Sequence, residues 1–346
     1  MNKELLFNKI KGCLVTAGMG DAIGAPTEAM SRVEIENKYG GRITTFVDGS
    51  TNPYALGNKV AEITDDASQM YEMALQVIKC NGELTVEAAA DGLLSWADKY
   101  PRYYPRNAGP TTRHVIKELR SGGDPYKIGK IGEEYDRGVS NGAVMRVAAA
   151  GLWCPGNLDA ACKTAITMCI PSHNTQHAYA AASSIACGIS EAIQIDSTIM
   201  SVVKACLYGA KKGMEIGEKE ARQATGIDTY EAIMRAIECA LRASSPEECE
   251  RLLEAYIGND GAVQVGAAVA IGLFIANDGD PKGTILSGAN IGGDTDTLAC
   301  IAGMLSGAFA GYSALPSEWC ELFERVNKDL DFDTVSRQLT NIAAHQ

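Results

Sequence analysis

An all-α fold is what this chain predicts, and three observations carry the prediction. Apolar residues recur at helical spacing along almost its whole length. Strand-like alternation is nearly absent: residues 42–47 (RITTFV) are the one candidate, and they read as loop. Glycine and proline fall mainly between the periodic runs, and no low-complexity stretch divides the chain. Residues 1–346 are therefore expected to form a single compact multi-helix domain.

The elements follow in order. Residues 5–17 place Leu5, Leu6, Ile10, Leu14 and Ala17 on one helical stripe. Residues 70–78 do the same with Met70, Met73, Ala74 and Val77, and Thr64 or Asp65 reads as the N-cap before them. Runs at 86–97, 111–119 and 143–152 come next. The middle holds 158–168, 177–193 and 199–208, followed by 230–241, 247–256, 262–277, 281–289 and 298–309. A more charged section, 317–335, completes the set. Glycine, alanine and serine line the runs at 177–189 and 302–310, where small side chains let helix axes approach closely.

Composition narrows the function classes. With 346 residues, 46% hydrophobic and 21% charged, the chain can bury a sizeable core. Its net charge is −12 and no Lys/Arg block stands out, which disfavours direct nucleic-acid binding. The 11 cysteines are scattered without any C-x-x-C and read as reduced core thiols of a cytoplasmic protein. The start, MNKELLFNKIKG, is charged throughout and is not a signal peptide. No run reaches the ~18 to 20 apolar residues of a membrane span. A domain of this size can be a monomer, and the sequence leaves the oligomeric state open.

Two oxygen-rich clusters carry the chemistry. Gly292-Gly293-Asp294-Thr295-Asp296-Thr297 puts two carboxylates directly before a small-residue apolar run. Thr64-Asp65-Asp66 stands before another helix. Each alone reads as a helix cap with acids favoured by the dipole. Together they offer Thr64, Asp65, Asp66, Asp294, Asp296 and Thr297 as oxygen ligands. Like charges side by side are costly to bury unless a cation neutralises them. Neither cluster contains histidine or cysteine, so a hard ion is expected: magnesium or manganese, as a pair sharing a carboxylate.

Further segments then line up in order: Gly18-Met19-Gly20-Asp21-Ala22-Ile23-Gly24-Ala25-Pro26-Thr27-Glu28, Thr64-Asp65-Asp66, Arg106-Asn107-Ala108-Gly109-Pro110-Thr111-Thr112-Arg113, Ser140-Asn141-Gly142-Ala143-Val144-Met145-Arg146 and the Gly292–Thr297 stretch, with Ser172-His173-Asn174 among them. In this combination the chain resembles the ADP-ribosylglycohydrolase family, which includes the enzyme reactivating dinitrogenase reductase. The resemblance implies an all-α fold with a binuclear magnesium or manganese site on the six oxygen ligands above. It implies hydrolysis of the glycosidic bond at the anomeric carbon of ADP-ribose, with the ions holding the ribose diol and activating water. The substrate would be an ADP-ribosylated protein or a small riboside.

Residue by residue, the resemblance carries a catalytic role to Glu28, on a loop able to gate access, with Asp65 and Asp296 beside it. Gly109 falls in the loop that cradles a diphosphate, although Pro110 there lacks an amide donor. Asn141 matches a position near the ribose or adenosine, and His173 is expected to line the site. Asp21 is given a structural role, Arg146 a bracing one, and Tyr103 and Tyr104 a packing one. His114, His177 and His345 receive none. Residues 97–109 and 122–140 are expected to set the acceptor. Two alternatives remain: hydrolysis of another N- or O-riboside by the same machinery, and a non-enzymatic role like that of the family's lens crystallins. The intact carboxylates argue against the second.

Overall fold

A computed structural model describes residues 2–131 and 138–346. Residues 132–137, part of the stretch expected to set the acceptor, lie outside the described residues. In chain order the helices are α1 (Lys3–Gly24), α2 (Arg32–Tyr39), α3 (Asp65–Lys79), α4 (Val86–Lys99), α5 (Pro110–Arg120), α6 (Pro125–Ile128), α7 (Ala148–Leu152), α8 (Leu158–Cys169) and α9 (Gln176–Ala192). They continue as α10 (Ile199–Glu220), α11 (Thr229–Arg242), α12 (Pro246–Tyr256), α13 (Val263–Ala276), α14 (Pro281–Asn290), α15 (Thr295–Ala310), α16 (Ser317–Val326) and α17 (Phe332–Ala343). Among the described residues there is no strand, only two isolated bridges, and residues 42–47 are loop as expected.

The core is organised around α1 and α15, which pack along their full lengths. Both present glycine to the contact. A Cβ built on Gly24 would meet the backbone of Thr295, and one on Gly20 that of Ala299. One on Gly303 would lie 2.7 Å from the Thr16 carbonyl, and one on Gly12 2.5 Å from that of Gly307. This contact explains where the sequence reading fell short. The helix expected over 5–17 continues through the glycine-rich passage to Gly24, about two turns further. Glycine costs roughly 1 kcal/mol per helical residue, and the axis-to-axis approach it permits offsets that cost. A second small-residue contact joins α9 to α10 through Gly209, Gly213 and Gly217.

Other departures are local. The run at 317–335 is two helices, broken at Asn327–Asp331, where Asn327 turns its side chain onto Ala61 and Ile63. The run at 143–152 is a 3-10 turn, Asn141–Ala143, followed by the short α7. Helix α2 escaped prediction because its eight residues bury only Ile35. All eleven cysteines are free, and ten are buried, as the thiol reading requires. Among the described residues no helix is long and apolar enough to cross a membrane.

Candidate active site

The N-terminal ends of α3 and α15 meet against the C-terminal end of α1, which brings the two oxygen clusters together. Helix α3 starts in an unusual way. Thr64 occupies its cap position but makes no capping bond with its side chain. Asp21 supplies the cap from α1: it accepts the Thr64 amide at 2.9 Å, the Thr64 hydroxyl at 2.7 Å and the Ala67 amide at 2.9 Å. Thr64 thus holds the expected N-cap position, but Asp21 rather than its own side chain accepts the first amides. The structural role given to Asp21 is visible as a cap donated across the helix pair. Thr64 is fully buried with its hydroxyl proton committed to Asp21, so its lone pairs alone remain for another partner.

Helix α15 starts from two consecutive left-handed glycines, Gly292 (φ 84°) and Gly293 (φ 75°). Any side chain on Gly293 would run into Asn259. These residues also staple the Glu28 segment. The Ala29 amide donates to the Gly293 carbonyl at 2.8 Å, and the Gly293 amide donates to the Met30 carbonyl at 3.0 Å. Asn52 donates to the Glu28 carbonyl at 2.9 Å. The segment expected to gate access is thus tied at several points beside Asp294.

Carboxylate oxygens of Glu28, Asp294 and Asp296 lie within 4.8 Å of one another. Asp65 and Asp66 stand outside that triad but line the same cavity of about 160 Å³, together with Thr297, Asn141, Gly109, Thr112, Ser140 and Gly142. Burial and mutual repulsion raise every carboxyl here. Asp294 sits at about 7, through burial first and Asp296 second. Asp65 and Asp66 are pushed far above the carboxylate range by burial and by Asp296. Burial, then Asp296 and Asp294, likewise push Glu28 far above the carboxylate range. The residue itself is half-exposed, but its carboxyl is turned inward.

The donor set fits a hard cation. Glu28 Oε2 and Asp66 Oδ2 are buried without hydrogen-bond partners, whereas the unpartnered Asn141 Oδ1 faces Gly266 of α13 rather than the acids. Orphaned buried oxygens are costly and rare unless something unseen binds them. Glu28, which the sequence pointed to as a base, thus lines the same cavity as Asp65, Asp66, Asp294, Asp296 and Thr297. Asn141 donates to Asp294 Oδ2 at 2.6 Å and so orients that carboxylate.

His173 is placed differently from expectation. It is fully buried and does not touch the cavity; its Nε2 lies 3.0 Å from Ser140 Oγ, which does. Arg146, also fully buried, ties this layer to the acids. It donates to Ser172 Oγ at 2.7 Å and to Gln69 Oε1 at 2.7 Å, and Gln69 donates to Asp65 Oδ2 at 2.9 Å. Burial lowers Arg146 to about 10, still well protonated. The bracing role read from sequence is what the geometry displays. Tyr103 and Tyr104 pack against Tyr100 and Trp96, as anticipated. Tyr54, Asn107, Thr112 and Ser140 line the cavity unforeseen, because they sit in irregular segments or inside motifs read for their neighbours. A roomier hollow of about 540 Å³ lies between α1 and α17, but Lys3, Glu4, Phe7 and Arg337 there form no acidic cluster.

The fold is all-helical among the described residues, and its carboxylates gather between helix starts. The ADP-ribosylglycohydrolase family description matches residues 2–345, and the chain belongs to that family. It is a glycoside hydrolase of the ADP-ribosylglycohydrolase type. Uncharacterized protein YegU of Escherichia coli is 28% identical, covering 96% of each chain. ADP-ribosylarginine hydrolase Tri1 of Pseudomonas putida is 23% identical over 93% of this chain and 76% of its own. A solved structure titled ADP-ribosylglycohydrolase-related protein complex matches with a TM-score of 0.70 at 21% identity, covering 98% of this chain and 99% of its own, which shows the shared fold.

Proposed function

We propose that the acidic cavity hydrolyses the bond from the anomeric carbon of ADP-ribose to a protein side chain or small acceptor, with two magnesium or manganese ions held by Thr64, Asp65, Asp66, Asp294, Asp296 and Thr297. The observation that carries this reading is the convergence of buried carboxylates whose outward oxygens, on Glu28 and Asp66, have no partner. When bound, two divalent ions supply charge neutralisation and Lewis acidity.

The chain's own residues do the rest. Cleavage of a riboside builds positive charge on the ribose, so a nearby base for water accelerates it. Glu28 lines the cavity, its carboxylate within 4.8 Å of those of Asp294 and Asp296. Were Asp294 and Asp296 to hold the ions, Glu28, once ionised, would be the carboxylate placed to accept a proton from water. Asp65 and Asp296 hold their oxygens at fixed positions, Asp65 through Gln69 and Asp296 through the Thr297 amide at 2.9 Å. Asn141 orients Asp294.

A cavity of about 160 Å³ is smaller than the roughly 300 Å³ at which whole-ligand pockets begin. It suits the ribose, with the diphosphate lying across the rim at Gly109, where α5 presents the amides of Thr111 and Thr112. The same small volume, with Pro110 offering no amide, favours one second reading: hydrolysis of a smaller riboside.

Calorimetry with magnesium or manganese is expected to show binding that Asp296→Ala abolishes; a wild type that binds neither ion refutes the metal assignment. Hydrolysis is then assayed on ADP-ribosyl-arginine, the substrate class named for the Pseudomonas relative. ADP-ribosyl-serine peptide and simple nucleosides complete the panel, each with ion and with chelator. Release from nucleosides alone would select the second reading.

A further inference from the structure

Away from the acidic cavity, the outward face of α11 carries an ordered pattern that the proposed chemistry does not use. The helix buries Ala232, Ile233, Ala236, Ile237 and Ala240, chiefly against α13. Its other side carries Glu231, Met234, Arg235, Glu238, Leu241 and Arg242, all exposed. Steps of three and four residues keep these six on one helical face. Exposed apolar residues recur there every seventh position: Ile227 just before the helix at 41% exposure, Met234 at 40% and Leu241 at 67%. A single exposed hydrophobic residue is ordinary on a protein surface. A seven-residue stripe is the kind of seam along which one helix pairs with another.

The charges select the occupant. Along the face run Glu231, Arg235, Glu238 and Arg242, alternating acid and base. Glu231 and Arg242 lie equally far from the point between residues 236 and 237, and so do Arg235 and Glu238. A second copy of α11 laid antiparallel about that point sets Glu231 of each copy against Arg242 of the other, and Arg235 against Glu238. Every charge then meets its opposite. A two-fold interface requires such a self-complementary patch. Parallel pairing in register would set like against like.

Packing agrees with the same register. It brings Leu241 of one copy level with Ala232 of the other, between Tyr230 and Met234, each about 3 Å away along the axis. Tyr230 borders a hollow of about 330 Å³ between α10 and α11, with Lys211, Met214, Glu215, Glu218 and Asp228. The hollow has room for a leucine side chain. Its three carboxylates against one lysine favour the arginine that follows that leucine.

We infer that two copies of this chain associate through α11, packed antiparallel about a two-fold axis, with Leu241 of each seated beside Tyr230 and Met234 of the other. This interface does not depend on the hydrolytic reading of the cavity. A contact made by one 14-residue helix per copy, about 21 Å long, falls below the roughly 1,200 Å² at which standard interfaces begin. The dimer is therefore weak and reversible.

Sedimentation velocity of the full chain tests it, from roughly 1 to 200 μM, the range in which an interface below standard size dissociates. The wild type is expected to rise from the monomer mass of 36.6 kDa toward twice that value. Leu241→Lys, at a position outside the core, is expected to keep the chain monomeric throughout. Arg242→Glu sets like charges together twice across the axis and should weaken the dimer roughly tenfold. Adding Glu231→Arg to it makes the pairs opposite again and should recover most of the lost affinity. Recovery is expected only if those two positions meet between copies. A wild type that is monomeric at every concentration overturns the inference. So does a dimer that Leu241→Lys leaves intact, or a double variant no better than Arg242→Glu alone.

Discussion

Stripping divalent ions should invert the usual pH dependence of stability, and the size of the effect follows from Asp294. Its carboxyl sits at about 7, raised from 3.8 by burial and by Asp296. Between pH 4 and 7 the folded, metal-free chain holds a proton there that the unfolded chain has released. Where the folded state binds more protons, stability falls as pH rises. The penalty is therefore absent near pH 4, grows through pH 7 and then levels off. A gap of roughly three pH units corresponds to about 4 kcal/mol. Asp21, raised to about 6 by burial, acts in the same direction. Unfolding entropy of about 2.1 cal/mol/K per residue gives roughly 0.7 kcal/mol/K for a chain of 346 residues. The Asp294 term alone then lowers Tm by about 5–6 °C from the acid to the neutral end. Scanning calorimetry in chelator, from pH 4.5 to 7.5, measures it. Saturating manganese should remove or reverse the slope, because the ion competes with protons for the same oxygens. A chelated protein whose Tm is flat or rises over that range would refute the repulsive-cluster account.

Other expected outcomes are independent of that one. Glu28→Gln should retain manganese binding yet lose about 10²- to 10⁴-fold in turnover, the usual contribution of a positioned base; single-turnover hydrolysis checks it, and retained activity removes Glu28 from the chemistry. Asp21→Ala leaves three buried donors on Thr64 and Ala67 without an acceptor. A loss of about 3 kcal/mol or more in urea unfolding is expected, since each orphaned donor costs about 1–3 kcal/mol. Gly20→Ala drives a methyl into the Ala299 backbone and should cost about 1–3 kcal/mol or more. Gly109→Ala meets nothing within 4 Å at a φ of −62°. That variant should be as stable as the wild type and, if backbone amides bind the diphosphate, equally active.

What the sequence determined by itself was the helical class and the two acidic clusters that the fold gathers at one cavity. Period-3.6 patterning is a local property, so the long amphipathic runs and the absence of strands were readable without contacts. So was the oxygen-only donor set, because carboxylates before an apolar run are an electrostatic problem in any fold. Tertiary structure decided the rest. Helix α1 continues through Gly20 and Gly24 because α15 lies against it, a gain invisible to propensity. Asp21 caps a helix start forty-three positions away, and Glu28 joins Asp294 and Asp296 through a staple onto Gly293. His173, read as facing the site, instead stands behind Ser140. Each of these depends on which helix ends meet. That is set by packing between segments remote in sequence, where no local pattern carries the information.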